Sequence, residues 1–299
     1  MDGVLLLDKP VGMTSHDCVN IVRKVLKTKK VGHTGTLDPS VTGILPICVG
    51  RATKISQFLT ANEKEYLGEV TIGFSTTTED ADGEVVERKK VDRLMTREEV
   101  ESVLRSMLGS RIQVPPMYSA VKVNGKKLYE YARAGLEVER PRREVTIYEL
   151  ELLGDIHQTE VGEVRFRFRV KGSKGLFVRT VAVTIGEKLG YPAHMSYLRR
   201  IASGVFNISD CLTLEDFKEK AEDQSLQLLT LEQAMADFPS VVVDSWVEKL
   251  VRNGVKLNPK QVNGSEISPV ALFSRSGQCL AVYEKHPNQE VYRSVRGFV

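Results

Sequence analysis

An α+β fold is predicted by three features of this 299-residue sequence. Strand-like and helix-like segments interleave without the regular alternation that a doubly wound sheet requires. Several strands carry a two-residue apolar period, and the helices carry a 3.6-residue period opened by recognisable caps. With 41% hydrophobic and 27% charged residues, 11 prolines and 23 glycines, the composition is that of a globular chain able to bury a full core.

The first strand is GVLLL. Asp8, Lys9 and Pro10 close it after too few residues for a signal core or a membrane span, and no other stretch reaches about 18 uninterrupted apolar residues. A cytoplasmic protein without a membrane partner is expected. Thr14 or Ser15 then caps a helix with apolar positions Val19, Val22, Val25 and Leu26. GILPICVG and KEYLGEVTIGF read as strands. Thr96 and Glu99 form a capping box ahead of Val100, Val103, Leu104, Met107 and Leu108. REVTIYELELLGDI and EVRFRFRV are strands again, and Val178, Val181, Ala182, Ile185 and Leu189 mark a helix that ends at Gly190.

After TLEDFKEKAED and TLEQAMADFP the pattern changes. From about Ser240, VVVDSWVEKLVRNG, SPVALFSRSG, QCLAVYEK and VYRSVRGFV are short apolar pieces punctuated by glycine and asparagine, as a small β barrel requires. A boundary is expected near residues 238–242, dividing a larger domain, 1–239, from a smaller one, 240–299.

Charge and cysteine usage narrow the function classes. Cys18, Cys48, Cys211 and Cys279 show no C-x-x-C spacing and the five histidines no H-E-x-x-H, so neither a disulfide framework nor a metal site is expected. Chemistry without cofactor or metal, or no chemistry, is what remains. The formal net charge is +3, and residues 1–60 hold eight Lys/Arg against four Asp, which points weakly to a polyanionic partner. In VRFRFRVKGSK, Val164, Phe166, Phe168 and Val170 face one side of a strand and Arg165, Arg167 and Arg169 the other. That row is either an ordinary solvated sheet face or, with Lys171, Lys174 and Arg179 downstream, a phosphate-contacting one.

Asp38, in GTLDP, has a plain local reading as a helix N-cap followed by Pro39 at the first helical position. The segment is not a phosphate loop, because the Gly-Lys-Ser/Thr ending is missing. A carboxylate can nevertheless act as a metal-free nucleophile where a cation and backbone donors fix it.

LDKPVGMTS (7–15), VGHTGTLDPSVTGILP (31–46), EKEYLG (63–68), PPMYSAVKVNGKKLYEYAR (115–133), GLFVRT (175–180) and LRRIASGVF (198–206) follow one another in an order that resembles the TruB family of transfer RNA pseudouridine synthases. The resemblance spans essentially the whole chain. It implies a mixed-sheet pseudouridine synthase catalytic domain with a thumb-like RNA-binding insertion over 121–145, and a small C-terminal PUA-like β domain that reaches toward the acceptor stem. The implied reaction is isomerisation of uridine 55 in the T loop of transfer RNA. Asp38 is then the nucleophile, Tyr66 the aromatic that stacks on the flipped base and assists the late proton removal, and Arg179 the ion partner of Asp38.

The same resemblance implies that His33 sits beside the flipped nucleotide, that Lys9 and Pro10 support the catalytic floor, and that Leu198 belongs to the base pocket. Lys122, Lys126, Lys127, Arg133 and Arg142 of the insertion are implied RNA contacts; their plain alternative is a charged hairpin with Glu130, Glu137 and Glu139 as neighbours. Taken alone, Tyr66 also reads as a core aromatic and His33 as an exposed turn residue. The sequence departs from the family pattern at Thr77, Phe177 and Thr184, with Asp80 and Asp82 as the acids nearest Thr77. An enzyme acting alone on the T arm, without guide RNA or an obligate protein partner, is expected. An RNA-folding module and a guide-RNA-dependent relative are the alternatives.

Overall fold

A computed structural model describes residues 1–262 and 266–299. The opening apolar run becomes strand β1 (Gly3–Lys9), followed by helix α1 (Ser15–Val25), strand β2 (Val31–His33) and strand β3 (Thr42–Val49). Thr14 is the N-cap of α1, in a capping box with Asp17, which satisfies donors that the first helical turn leaves free. β1 and β3 pair antiparallel from Gly3 opposite Val49 to Lys9 opposite Gly43.

That pairing overturns the helix N-cap reading of Asp38. The Val41 amide donates to the Asp38 carbonyl at 3.1 Å in a turn, and the chain then enters β3. An apolar run with a long-range partner outweighs a local helix-start signal.

Next come α2 (Ser56–Thr60), β4 (Lys64–Ile72), β5 (Phe74–Thr76), β6 (Val85–Arg88), α3 (Arg97–Ser106) and β7 (Gly109–Gln113). Thr96 and Glu99 form the capping box of α3. An excursion holds β8 (Lys122–Val123), β9 (Lys126–Lys127) and α4 (Leu128–Arg133), after which β10 (Arg143–Gln158) rejoins the sheet. Gln113 and Arg143 bracket the excursion and are paired across β7 and β10. At its tip Asn124 and Gly125 have φ of 50° and 83°, the two left-handed residues that a two-residue hairpin loop needs. This is the thumb-like insertion; Arg143–Val145 already belong to β10.

β11 (Val164–Gly172), α5 (Val178–Leu189), β12 (Ala193–Ser203) and β13 (Phe206–Asn207) follow. Among the described residues the main sheet has nine strands, in the order β1-β3-β12-β4-β11-β10-β7, with β2 added to β3 and β13 to β12. β3 and β12 run parallel, with Arg200 opposite Gly43. Gly43 has φ of 107°, and a Cβ there would meet the Arg200 backbone, so glycine allows β3 to approach β12 beside the site.

On β11, Phe166, Phe168 and Val170 are buried in a cluster with residues of α3 and α5. The opposite row is locally neutralised: Arg165 pairs with Glu163, Arg167 with Glu69, and Arg169 with Glu65, Glu149 and Glu151. It is the solvated sheet face of the two readings, not a row of free cations.

The remaining elements are α6 (Leu214–Glu222), α7 (Leu231–Ala234), β14 (Ser240–Val242), α8 (Ser245–Arg252), β15 (Val270–Phe273), β16 (Cys279–Lys285) and β17 (Tyr292–Gly297). β14 to β17 form a four-stranded sheet in chain order, with β14 and β15 parallel. The sequence pattern predicts a closed barrel of strands here; among the described residues the sheet is open, and much of VVVDSWVEKLVRNG is helix α8. Val247 and Val251, one turn apart, point its apolar face into the small core. The two sheets share a further apolar cluster, in which Ala271, Cys279, Val282 and Phe298 pack with Val4, Ile44, Cys48 and Phe58. No helix among the described residues is long and apolar enough to cross a membrane.

Candidate active site

The loop between β2 and β3 places Asp38 on the wall of a cavity of about 860 Å³. Both flanks of Asp38 are pinned. The Ser15 hydroxyl accepts from the Leu37 amide at 2.8 Å and donates to its carbonyl at 3.1 Å. The Lys9 ammonium donates to the carbonyls of Pro10 at 2.9 Å and Pro39 at 3.3 Å. Lys9 is buried, and that burial holds its pKa below the usual lysine value. Lys9 therefore secures the loop through backbone contacts under Asp38.

Arg179, the second residue of α5, is the hub of the site. One Nη2 atom lies 2.9 Å from Asp38 Oδ2 and donates to the Tyr118 carbonyl at 2.8 Å. Nη1 lies 3.2 Å from Asp80 Oδ2 and donates to the Thr78 carbonyl at 2.9 Å. Asp80 is itself held by the Thr78 hydroxyl and by the Asp82 amide at 3.1 Å. The turn between β5 and β6 thus presents a carbonyl and a carboxylate to one guanidinium. Fixed acceptors on several sides leave that planar group little freedom.

The Asp38 side chain keeps 41% exposure. Burial pushes its pKa above the usual carboxylate range; Arg179 pulls it down, and Asp80 and Asp82 push it up. Ionisation of Asp38 therefore depends on the arginine, which offsets part of the desolvation.

Tyr66 on β4 and Leu198 on β12 also line the cavity, and Tyr66 packs against the main core at the same time. Tyr66 is thus a core aromatic with one side on the cavity. Lys122 reaches the cavity wall, while Lys126, Lys127, Arg133 and Arg142 lie away from it. Lys127 and Arg133 each sit 5.3 Å from the Tyr129 ring centre, which stiffens the insertion by cation–π contact. His33 does not line the cavity. It ends β2, its Nδ1 accepts from the Gly35 amide at 3.3 Å, and burial, ahead of Arg200 and His16, lowers its pKa.

Other charged groups reach the cavity without a signal in local sequence. Arg200 is buried and donates to the Ile44 carbonyl at 2.8 Å and the Gly35 carbonyl at 3.3 Å. Lys64 donates to the carbonyls of Thr60 at 2.7 Å and Asn62 at 2.5 Å, and burial lowers its pKa to about 8. The hydroxyls of Thr34 and Ser119, two further lining residues, are buried without a hydrogen-bond partner. Asp80 was visible in the sequence only as an acid near Thr77.

A carboxylate locked between backbone pins and a shared arginine, facing an aromatic wall and an apolar residue, can attack an electrophilic carbon that carries a flat polar ring lodged against that wall. Comparison with known proteins places the chain as a whole. The profile described as "TruB family pseudouridylate synthase (N terminal domain)" matches residues 23–178, and "tRNA pseudouridylate synthase B C-terminal domain" matches 179–237. A protein of Bacillus cytotoxicus named tRNA pseudouridine synthase B is 56% identical over 291 residues, covering 97% of this chain and 94% of the relative. The protein of that name from Geobacillus thermodenitrificans is 56% identical, with 96% of each covered. Among solved structures, a chain in the "Crystal Structure of a Cbf5-Nop10-Gar1 Complex" shares the fold with a TM-score of 0.73 at 25% identity, over 99% of this chain and 85% of that one. Matched along almost its whole length, the chain belongs to the TruB family of pseudouridylate synthases.

Proposed function

We propose that this protein isomerises uridine 55 in the T loop of transfer RNA to pseudouridine, with Asp38 as the nucleophile. The observation that carries the reading is the pinned Asp38 carboxylate, 2.9 Å from Arg179, on a cavity also lined by Tyr66 and Leu198. Attack on the nucleotide accompanies cleavage of the N1–C1′ bond. The carboxylate bonds to C1′ as uracil leaves; the freed uracil turns against Tyr66, and its C5 displaces the carboxylate from C1′, after which the C5 proton is lost and one is gained at N1. Every atom of uracil is kept and nothing is oxidised or reduced, so the balance calls for no cofactor.

A base in the T loop must leave its stack to reach Asp38, at a cost of a few kcal/mol that stacking on Tyr66 and phosphate contacts offset. Lys122 at the cavity mouth, with Lys126, Lys127, Arg133 and Arg142 on the thumb-like insertion, supplies cations for the RNA backbone. His33, which ends β2, helps hold the T loop open beside the flipped nucleotide. Residues 1–239 hold the catalytic machinery, with the RNA-closing insertion over 121–142, and residues 240–299 act as a PUA-like contact for RNA outside the T arm.

The protein acts by itself, in the cytoplasm, without guide RNA or an obligate protein partner. Incubating it alone with unmodified T-arm stem-loop RNA and mapping pseudouridine tests this directly. Product at the target uridine is expected; no product with or without added guide RNA defeats both the enzyme reading and the stand-alone reading, and product that appears only with a guide RNA defeats the second alone.

A further inference from the structure

We propose that Gln113 is a positioning residue for this reaction, clamping the start of α5 so that the root of the thumb-like insertion and Arg179 move as one unit. The inference rests on the roles proposed above for Asp38 and Arg179.

Gln113 is the last residue of β7 and only 7% exposed. Its Nε2 donates to the Phe177 carbonyl at 3.0 Å, and its Oε1 accepts from the Phe177 amide at 2.8 Å. Phe177 is the N-cap residue of α5 and has no side-chain cap of its own. A serine, threonine or aspartate normally tends the first turn of a helix. Here an amide side chain from a distant strand holds the backbone of that position from both ends.

Arg179 follows two residues later. Five residues after Gln113, the Tyr118 carbonyl accepts from the Arg179 guanidinium at 2.8 Å. The segment entering the insertion therefore grips α5 twice, at its backbone start and at the side chain that pairs with Asp38. Gln113 also lies opposite Arg143, so both strands at the root of the insertion converge on this clamp. Small displacements of a catalytic group are expensive, with a shift near 1 Å worth up to about 100-fold in rate. Losing the clamp frees Phe177 and tilts the first turn of α5, and Arg179 then meets Asp38 less often in the reactive geometry.

The test uses the full chain with Gln113→Leu and Gln113→Glu, unmodified T-arm stem-loop RNA, and three measurements: the saturated single-turnover rate, RNA affinity, and hydrogen exchange at the Phe177 amide. Gln113→Leu is expected to lower the saturated rate by about tenfold or more, leave RNA affinity unchanged and speed exchange at Phe177. Gln113→Glu keeps the acceptor for the Phe177 amide and falls between Leu and the parent. Added to Arg179→Lys, Gln113→Leu should cost much less than it does alone, because both act through one guanidinium. A folded Gln113→Leu with the parent rate, a loss confined to RNA affinity, or additive losses with Arg179→Lys overturns the proposal. Exchange at Phe177 needs no turnover: if the parent makes no pseudouridine the functional reading fails, whereas unchanged exchange in both variants removes the clamp itself.

Discussion

Two groups of arginine–carboxylate pairs in this molecule share their chemistry and differ in burial. On β11 the arginine side chains keep 46%, 70% and 35% exposure at Arg165, Arg167 and Arg169. Arg179 keeps 6% and its partner Asp80 9%. Exposed pairs contribute about 0–1 kcal/mol, because water competes for both partners. Breaking a buried pair by removing one partner costs about 3–5 kcal/mol, since the other charge is left desolvated. The number of cations on a face is therefore a poor guide to where function lies. Compared with the β11 row, Arg179 has less water and more fixed acceptors, and it is the one that faces Asp38.

The sharpest break in that contrast is Asp38→Asn. Saturated single-turnover isomerisation should vanish, because an amide cannot serve as the nucleophile. The fold should survive, since Ser15 and Lys9 still pin the loop and Arg179 keeps Asp80 and two carbonyls. A melting temperature within about 2–4 °C of the parent, roughly 1 kcal/mol, is expected. Near-normal single-turnover product would remove Asp38 from the role.

Arg179→Ala should come next. It strips Asp38 and Asp80 of their shared cation, so a loss of about 3–5 kcal/mol in stability is expected beside a severe loss of rate. The acid limb of the rate gives a second check. Burial already raises the Asp38 pKa and Arg179 opposes that rise, so removing the arginine must move the acid limb to higher pH. Lys126→Ala, one peripheral cation, should weaken RNA binding and leave the saturated rate alone. Equal loss of saturated rate in the two variants would dissolve the distinction.

Asp80→Asn is predicted to be milder and opposite in sign on the pH axis. An amide there still accepts from the Asp82 amide, but the negative charge that pushes the Asp38 pKa up is gone. The acid limb should move to lower pH even as the rate falls from poorer placement of Arg179. An upward shift would show that Asp80 acts on Asp38 by some other route. The smallest effect belongs to Arg167→Ala, under about 1 kcal/mol in denaturant melts and without change in single-turnover rate; a large rate loss would mean that the open row contacts substrate after all.

Much of the fold was legible because its signals are local. The alternation in β11 and the Thr96–Glu99 box of α3 need only neighbouring residues. Asp38 and Arg179 were legible through ordered motifs, since 141 residues separate them in the chain (179 − 38). What local chemistry misread was decided elsewhere: Asp38 does not cap a helix because β1 captures β3, and α8 is helical because Val247 and Val251 face one small core. The pairing of Arg167 and Arg169 depends on glutamates from β4 and β10. The clamp on Arg179 by the Thr78 and Tyr118 carbonyls uses backbone atoms, which every residue type carries.

The apolar cluster shared by the two sheets has a consequence during synthesis. Ile44 and Cys48 belong to it, and so does Phe298, about 250 residues further along the chain. A ribosome making about 5–20 residues per second needs roughly 10–50 s to cover that distance. For all of that time the nascent β1–β3 pair lacks part of its cover, with an oily flank open to solvent and to other chains. Such a chain should depend on chaperone protection early in translation and lose that dependence once β15 to β17 have emerged and sealed the flank.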